Sequence, residues 1–169
     1  MNRNNRRGLP RIPALLVLLF VVPACGSPAP DRAAAVVGGL PQGTLYMGQA
    51  EQLSLNVEIA ETAGAQTRGL MNVGQIPEDY GMVFAWQDPG RHPFHMRDTL
   101  IPLDIAWWDE DGRIVDIQTM TPCRADPCET YHPASEHVAA VEVRAGLLGS
   151  SGIEVGDPVK LHRTSPPRL

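Results

Sequence analysis

Ile101-Pro102-Leu103-Asp104-Ile105-Ala106-Trp107-Trp108-Asp109-Glu110-Asp111-Gly112-Arg113-Ile114-Val115-Asp116-Ile117 is the stretch that decides the fold. Two runs rich in β-branched and aromatic side chains flank a short acidic turn that ends in glycine. That pattern predicts a β-hairpin. Outward from it, further short strands are expected. Leu53-Ser54-Leu55-Asn56-Val57-Glu58-Ile59-Ala60 alternates apolar and polar residues, as a strand with one buried face does. Gly81-Met82-Val83-Phe84-Ala85-Trp86, Phe94-His95-Met96-Arg97, Val138 to Val143 and Asp157 to Leu161 read as strands as well. Thr62 to Met71 is richer in Ala and Gln and predicts a short helix, opened by Thr62 and closed near Gly69. The fold class is therefore α+β and β-rich: a compact sheet, barrel-like or sandwich-like, with one or two short helices.

Length bounds the organisation. The chain has 169 residues, enough for one domain. Arg3, Arg6, Arg7 and Arg11 precede an apolar run from Ala14 to Val22. A spanning helix needs roughly 20 apolar residues, and this run is far shorter. A basic start, a short apolar core and a small residue before a cut is the signal-peptide pattern. Val22-Pro23-Ala24-Cys25 resembles a lipobox, so residues 1–24 are expected to be a lipoprotein signal peptide and Cys25 its lipidated residue. Two or more acyl chains anchor a protein stably. The expected address is a bacterial membrane, on its periplasmic or extracytoplasmic face, and the membrane is then a partner through the lipid on Cys25. Residues 25–52, rich in Gly, Pro, Ala and Ser, read as a flexible tether. Residues 53–162 are expected to form the domain, and residues 163–169 a disordered tail.

Charge excludes some partners. Residues 1–24 hold four arginines and no acid, so the rest of the chain carries ten basic side chains against 19 acidic ones, a formal charge of −9. Lys160 is the single lysine. Phosphate-backbone binding needs clustered Lys and Arg, so nucleic acid is not an expected partner. No Ser–His–Asp order, Walker loop or dinucleotide glycine pattern is present. No cofactor is expected.

Several ordered runs resemble the family known as domain of unknown function 192. They are Thr67-Arg68-Gly69-Leu70-Met71, Gly81-Met82-Val83-Phe84, Met96-Arg97-Asp98-Thr99-Leu100-Ile101-Pro102-Leu103-Asp104-Ile105, Pro122-Cys123 with Cys128 and Tyr131, Val141-Glu142-Val143 with Ala145-Gly146, and Gly156-Asp157. The resemblance implies a compact β-rich domain, often exported or membrane-linked, and supplies no catalytic role. It also implies Trp before Met96 and Asn before Thr99, where this chain has His95 and Asp98.

The polar members of those runs are the candidate ligand-binding residues: Arg68, Arg97, Asp98, Asp104 and Glu142. Arg68 and Arg97 offer a fork for a carboxylate or phosphate. The bland alternative is that one of them pairs with Asp104 or Glu142 as a structural ion pair. Cys123 and Cys128 are expected to form a disulfide in an oxidising compartment; a redox pair would show Cys-x-x-Cys spacing, which is absent. His92, His95, His132 and His137 match no zinc signature and read as surface histidines, so no metal is expected. In an extended segment, His92 and His95 point to opposite faces. Trp107 and Trp108 also point to opposite faces, one to the core and the other to an exposed contact. The favoured function is an envelope lipoprotein whose domain binds a small ligand or envelope protein without catalysis. The alternatives are an envelope hydrolase or ligand-modifying enzyme using Asp98, Asp104, Arg97 and His95, and a thiol–disulfide protein using Cys123 and Cys128.

Overall fold

The computed structural model describes residue 1 and residues 37–164. Nearly all of these fall in the second of two compact units, which spans residues 32–169. The expected signal peptide and Cys25 lie outside the described residues.

The strands are β1 (Gln42–Met47), β2 (Leu53–Ala60), β3 (Tyr80–Gly90), β4 (Phe94–His95), β5 (Leu103–Trp108), β6 (Ile114–Met120), β7 (Thr130–Tyr131), β8 (His137–Arg144) and β9 (Val159–Arg163). The helices are α1 (Ala63–Arg68) and the single turn α2 (Leu147–Ser150). Seven strands form one sheet in the order β6-β5-β8-β3-β2-β1-β9, and β4 pairs with β7 in a small second sheet. Every pair is antiparallel except β2 with β3. Parallel neighbours need a long crossover, and the segment carrying α1 supplies it.

The β-rich α+β expectation holds, and the sheet is open rather than a closed barrel. Its two edges still meet at one corner. Ile114 N–H donates to Asp157 C=O at 3.0 Å, and Val159 N–H donates to Gly112 C=O at 2.8 Å. These bonds use backbone groups that an open edge would leave for another chain.

Alternation along the strands loads both faces of the sheet. One face carries Leu45, Leu55, Val57, Ile59, Val83, Ala106, Trp108, Val141 and Val143, packed with Leu148 and Ile153. The other carries Tyr80, Met82, Phe84, Leu103, Ile105, Trp107 and Met120, packed with Leu70, Met96 and Tyr131. Trp107 and Trp108 are therefore both core residues, one on each face, and the expected exposed indole is absent. Both faces are covered because α2 and its following loop lie on one, while the α1 and β4–β7 segments lie on the other. The second half of β2 is buried on both sides for the same reason, against the one-faced pattern expected for it.

The N-terminal boundary of the domain also moves. Residues 42–52 were expected to be tether, yet β1 lies between β2 and β9 with Leu45 and Met47 fully buried. Val37 N–H and Gly38 N–H both donate to the Glu58 carboxylate at 2.8 Å. Arg163, assigned to the tail, ends β9, and Thr164 N–H donates to Gln42 C=O at 2.8 Å.

Candidate ligand-binding site

Helix α1 begins where Thr62 Oγ1 accepts the Ala65 N–H at 3.2 Å, an N-cap that satisfies a free amide. It ends at Gly69, whose φ of 44° favours glycine. A Cβ there would also lie 3.3 Å from the Phe84 ring. The helix is tied to the sheet by Gln66, whose side-chain amide donates to Ala85 C=O at 2.9 Å. Beyond it, Asn72 N–H donates to Asp98 C=O at 2.8 Å and fastens the loop that follows Met96.

Between these parts and the sheet lies a cavity of about 300 Å³, at the small end of ligand pockets. Its polar lining includes Arg68, His92, His95, Thr99 and Glu142; Phe84, Trp86 and Phe94 form much of its apolar wall. Register explains how Glu142 reaches it. Glu58 pairs with Met82, Met82 with Glu142, and Glu142 with Ile105, so a cross-strand row carries the carboxyl onto the Phe84 face. Glu142 is only 5% exposed, and its Oε2 has no hydrogen-bond partner among the described residues. Burial pushes its pKa up to about 8. Its acidic neighbour Glu58 is provided for: besides two backbone amides, it accepts the Tyr80 hydroxyl at 2.9 Å. Burial first, then the charge of Glu58, pushes the Tyr80 phenol well above its usual range.

An aromatic and imidazole group adjoins the cavity. Trp86 stacks on His92 with centroids 4.1 Å apart, and His137 stands edge-on to both. Strand β3 makes this possible through a bulge. Ala85 pairs with Ala139 but the next pair is Gly90 with His137, so extra β3 residues loop out and re-aim Trp86. Gly90 lets the His92 ring come close; a Cβ there would sit 2.8 Å from its Nε2. His92 Nε2, His137 Nε2 and Trp107 Nε1 are buried without partners among the described residues. Burial holds the His137 pKa down at about 4, and lowers that of His92 as well. The expectation of surface histidines fails for His137, which is 1% exposed. The sequence could not show that the β3 bulge folds a loop over it. Nor do His92 and His95 part company as an extended strand would require, because the chain at Pro93 is not yet in β4 and both line the cavity.

The five candidate residues are divided by the fold. Arg68 and Glu142 share the cavity. Arg97 lies outside its lining and pairs with Asp126 at 2.7 Å, both side chains more than half exposed. Asp98 is exposed and occupies a left-handed turn, φ 57°. Asp104 is buried and fully engaged: Oδ1 accepts the Thr119 hydroxyl at 2.7 Å, and Oδ2 accepts the Gly146 and Leu148 amides at 2.8 and 3.3 Å. Neither Asp104 nor Glu142 is in an ion pair among the described residues, so the simple Arg–carboxylate pairing does not form. The Arg97, Asp98 and Asp104 set is not brought together at the cavity. Thr99, His92 and Trp86 were not proposed as site residues. Thr99 stood within a family run, but only the folding of the segment between β4 and β5 brings it to the cavity that Glu142 lines.

Cys123 and Cys128 are disulfide-bonded. Among the described residues, the metal-spaced group is Cys123, Asp126 and Cys128, and its two sulfurs are in that bond. No helix among the described residues is long and apolar enough to cross a membrane.

An open mixed sheet with a small, partly charged cavity under a short helix defines a compact β-rich domain. The chain belongs to the DUF192 family, described as Uncharacterized ACR, whose pattern matches residues 46–161. It is 28% identical over 102 residues to a UPF0127 protein of Thermococcus gammatolerans, a stretch that is 60% of this chain and 63% of that relative. It resembles a solved protein of unknown function from Novosphingobium aromaticivorans, with a TM-score of 0.69 and 29% identity over 76% of this chain and 91% of that one. A structure from Sinorhizobium meliloti described as a putative transcription regulator shares the fold, with a TM-score of 0.66 and 23% identity over 72% of this chain and 95% of its own.

Proposed function

We propose that this protein is an exported lipoprotein, acylated on Cys25 and held at the periplasmic or extracytoplasmic face of a bacterial membrane, whose domain binds a small ligand in the Arg68–Glu142 cavity. The observation that carries the binding reading is Glu142. A buried carboxyl without a partner costs free energy of folding, and a bound group that completes its hydrogen bonds recovers part of that cost. The address rests on the order of basic, apolar and small residues before Cys25. A disulfide elsewhere in the chain fits an oxidising compartment.

The test is a thermal-shift screen of the full chain against sugars, nucleotides, metals and small organic acids. A ligand at 100 times its Kd adds roughly 2.7 kcal/mol, a visible rise in Tm. A shift present in the native protein and lost in Arg68→Met supports the cavity. Shifts that survive both Arg68→Met and Glu142→Leu would remove it as the binding site. Labelling cells with an alkynyl fatty acid tests the address: Cys25→Ser must abolish the label.

A second reading is favoured by the same carboxyl. A carboxyl whose pKa burial raises to about 8, in a cavity that a guanidinium also lines, has the poise of a general acid or base. A turnover found with any screened compound and lost in Glu142→Gln, with binding retained, would replace binding by catalysis.

A further inference from the structure

We propose that the cavity selects a small organic oxyanion, a carboxylate or a phosphate monoester with an apolar body, which Arg68 holds by its charge while Glu142 donates a hydrogen bond to it. The inference rests on the binding reading above and names its ligand class. Four observations converge on it.

The first is the charge inventory of the lining. Arg68 is its one guanidinium and, like Arg91, Arg113 and Arg124, enters no ion pair among the described residues; Arg97, Arg144, Lys160 and Arg163 each have an acid. Guanidinium is permanently charged and matches carboxylate and phosphate geometry. The second is the state of the one acid in the lining. Glu142 faces Arg68 from α1, His92 and His95 from the segment at β4, and on its sheet side Tyr80 of β3 with Glu58 of β2 behind it. None of these stands in a salt bridge or hydrogen bond to it, and Glu58 is a second negative charge held by its own donors. Burial therefore keeps Glu142 protonated at neutral pH, and a protonated carboxyl brings a donor to an anion where an ionised one would repel it.

The third is a further polar group, the hydroxyl of Thr99, a residue buried at the cavity; a hydroxyl is able to donate to the oxygen of an anion. The fourth is the wall. Phe84, Trp86 and Phe94 favour an apolar or aromatic body, and at about 30 Å³ per water-sized group the space suits roughly ten heavy atoms. All this stands in a chain of net negative charge, so the cationic lining is local and not a reflection of the whole surface.

The experiment titrates the full chain with four probes of one shape: benzoate, phenyl phosphate, benzamide and benzylamine, followed by protein NMR at pH 6.5 and pH 9. The expected result is that benzoate or phenyl phosphate binds at least about tenfold more tightly than benzamide, with benzylamine weakest. The tighter of the two anions identifies the head group. Arg68→Met should erase the preference over benzamide. Glu142→Gln, whose amide still donates, should hold anion affinity within about threefold at pH 6.5. It should also abolish the loss of affinity that the native protein shows by pH 9. Tightest binding of benzylamine, lost in Glu142→Gln, would overturn the inference and leave the cavity standing as a cation site. Tightest binding of benzamide would overturn it too, leaving a neutral-ligand pocket. If no probe shifts the resonances of cavity residues, the anion class and the small-ligand reading fall together.

Discussion

Asp104 and Glu142 are both carboxyls buried in the sheet, and their surroundings give them opposite roles. Asp104 accepts three hydrogen bonds that join β6 and the start of α2 to β5. Asp104→Ala would leave a hydroxyl and two amides without their acceptor, at about 3 kcal/mol or more. Asp104→Asn should cost about half as much, because its oxygen still serves the amides and the Thr119 hydroxyl can turn to accept. Urea unfolding of both variants checks this ordering; equal losses would deny the capping role. Glu142 Oε2 has no hydrogen-bond partner among the described residues, so Glu142→Gln should not destabilise at neutral pH. Asp98 belongs to neither case. Its φ of 57° suits Asp and Asn and penalises branched side chains. The resemblance to the family implies Asn at this place, and the backbone gives the reason. Asp98→Asn is expected to be neutral within about 0.5 kcal/mol, and Asp98→Val to destabilise by about 1–2 kcal/mol through strain alone. Which acids were buried was partly legible: each sits in an apolar run. Which one was spoken for was not, because Thr119 and Gly146 meet Asp104 only through strand pairing and a turn far along the chain.

At the scale of elements, the hairpin of β5 and β6 was legible from Ile101 to Ile117 alone, since Asp109 Oδ1 accepts the Asp111 and Arg113 amides and Gly112 takes φ 68°. Helix α1 was legible too, down to its Thr62 cap and Gly69 stop. Strand β1 was not. Gln42-Gly43-Thr44-Leu45-Tyr46-Met47 lies among glycines and prolines, and its apolar residues matter only because β2 and β9 flank it. A chain starting at residue 53 should therefore lack a cooperative urea transition, and one starting at residue 37 should keep it. Near-UV circular dichroism distinguishes them, and a native signal from the shorter chain would restore the tether. The loop from Cys123 to Cys128 makes a milder prediction. On the chain-entropy view so short a loop stabilises by roughly 2 kcal/mol. Cys123→Ala with Cys128→Ala should lower stability by about that amount and loosen the exposed Arg97–Asp126 pair, with the cavity and its ligand affinity unaffected. A large loss of affinity in that double variant would tie the disulfide to the site.

For the whole molecule, the buried groups Glu142 and His137 have the largest part in how stability follows pH between 4 and 8, and they act in opposite directions. Glu142 has a folded pKa of about 8 against an ordinary 4.5. Between those values the folded state keeps a proton that the unfolded chain has released, so its contribution is present at low pH and is lost as pH rises towards 8. His137 has a folded pKa of about 4 against 6.5. Between those values the unfolded chain holds the extra proton, so stability is lost as pH falls from 6.5 towards 4. From pH 4.5 to 6.5 these two slopes cancel, and the lowered pKa of His92 adds a rise as pH approaches 6.5. Above 6.5 only Glu142 acts, and stability falls by about 1.4 kcal/mol per pH unit until it levels near 8. The native protein should thus show a shallow rise up to 6.5 followed by a decline. Glu142→Gln should remove the decline and uncover the rise due to His137 between pH 4.5 and 6.5. Urea unfolding at half-unit steps from pH 4.5 to 9 reads both. A decline that persists in Glu142→Gln would assign it to other groups. That result would leave Glu142 ionised at neutral pH, turning the cavity's one acid from a donor for anions into a partner for cations.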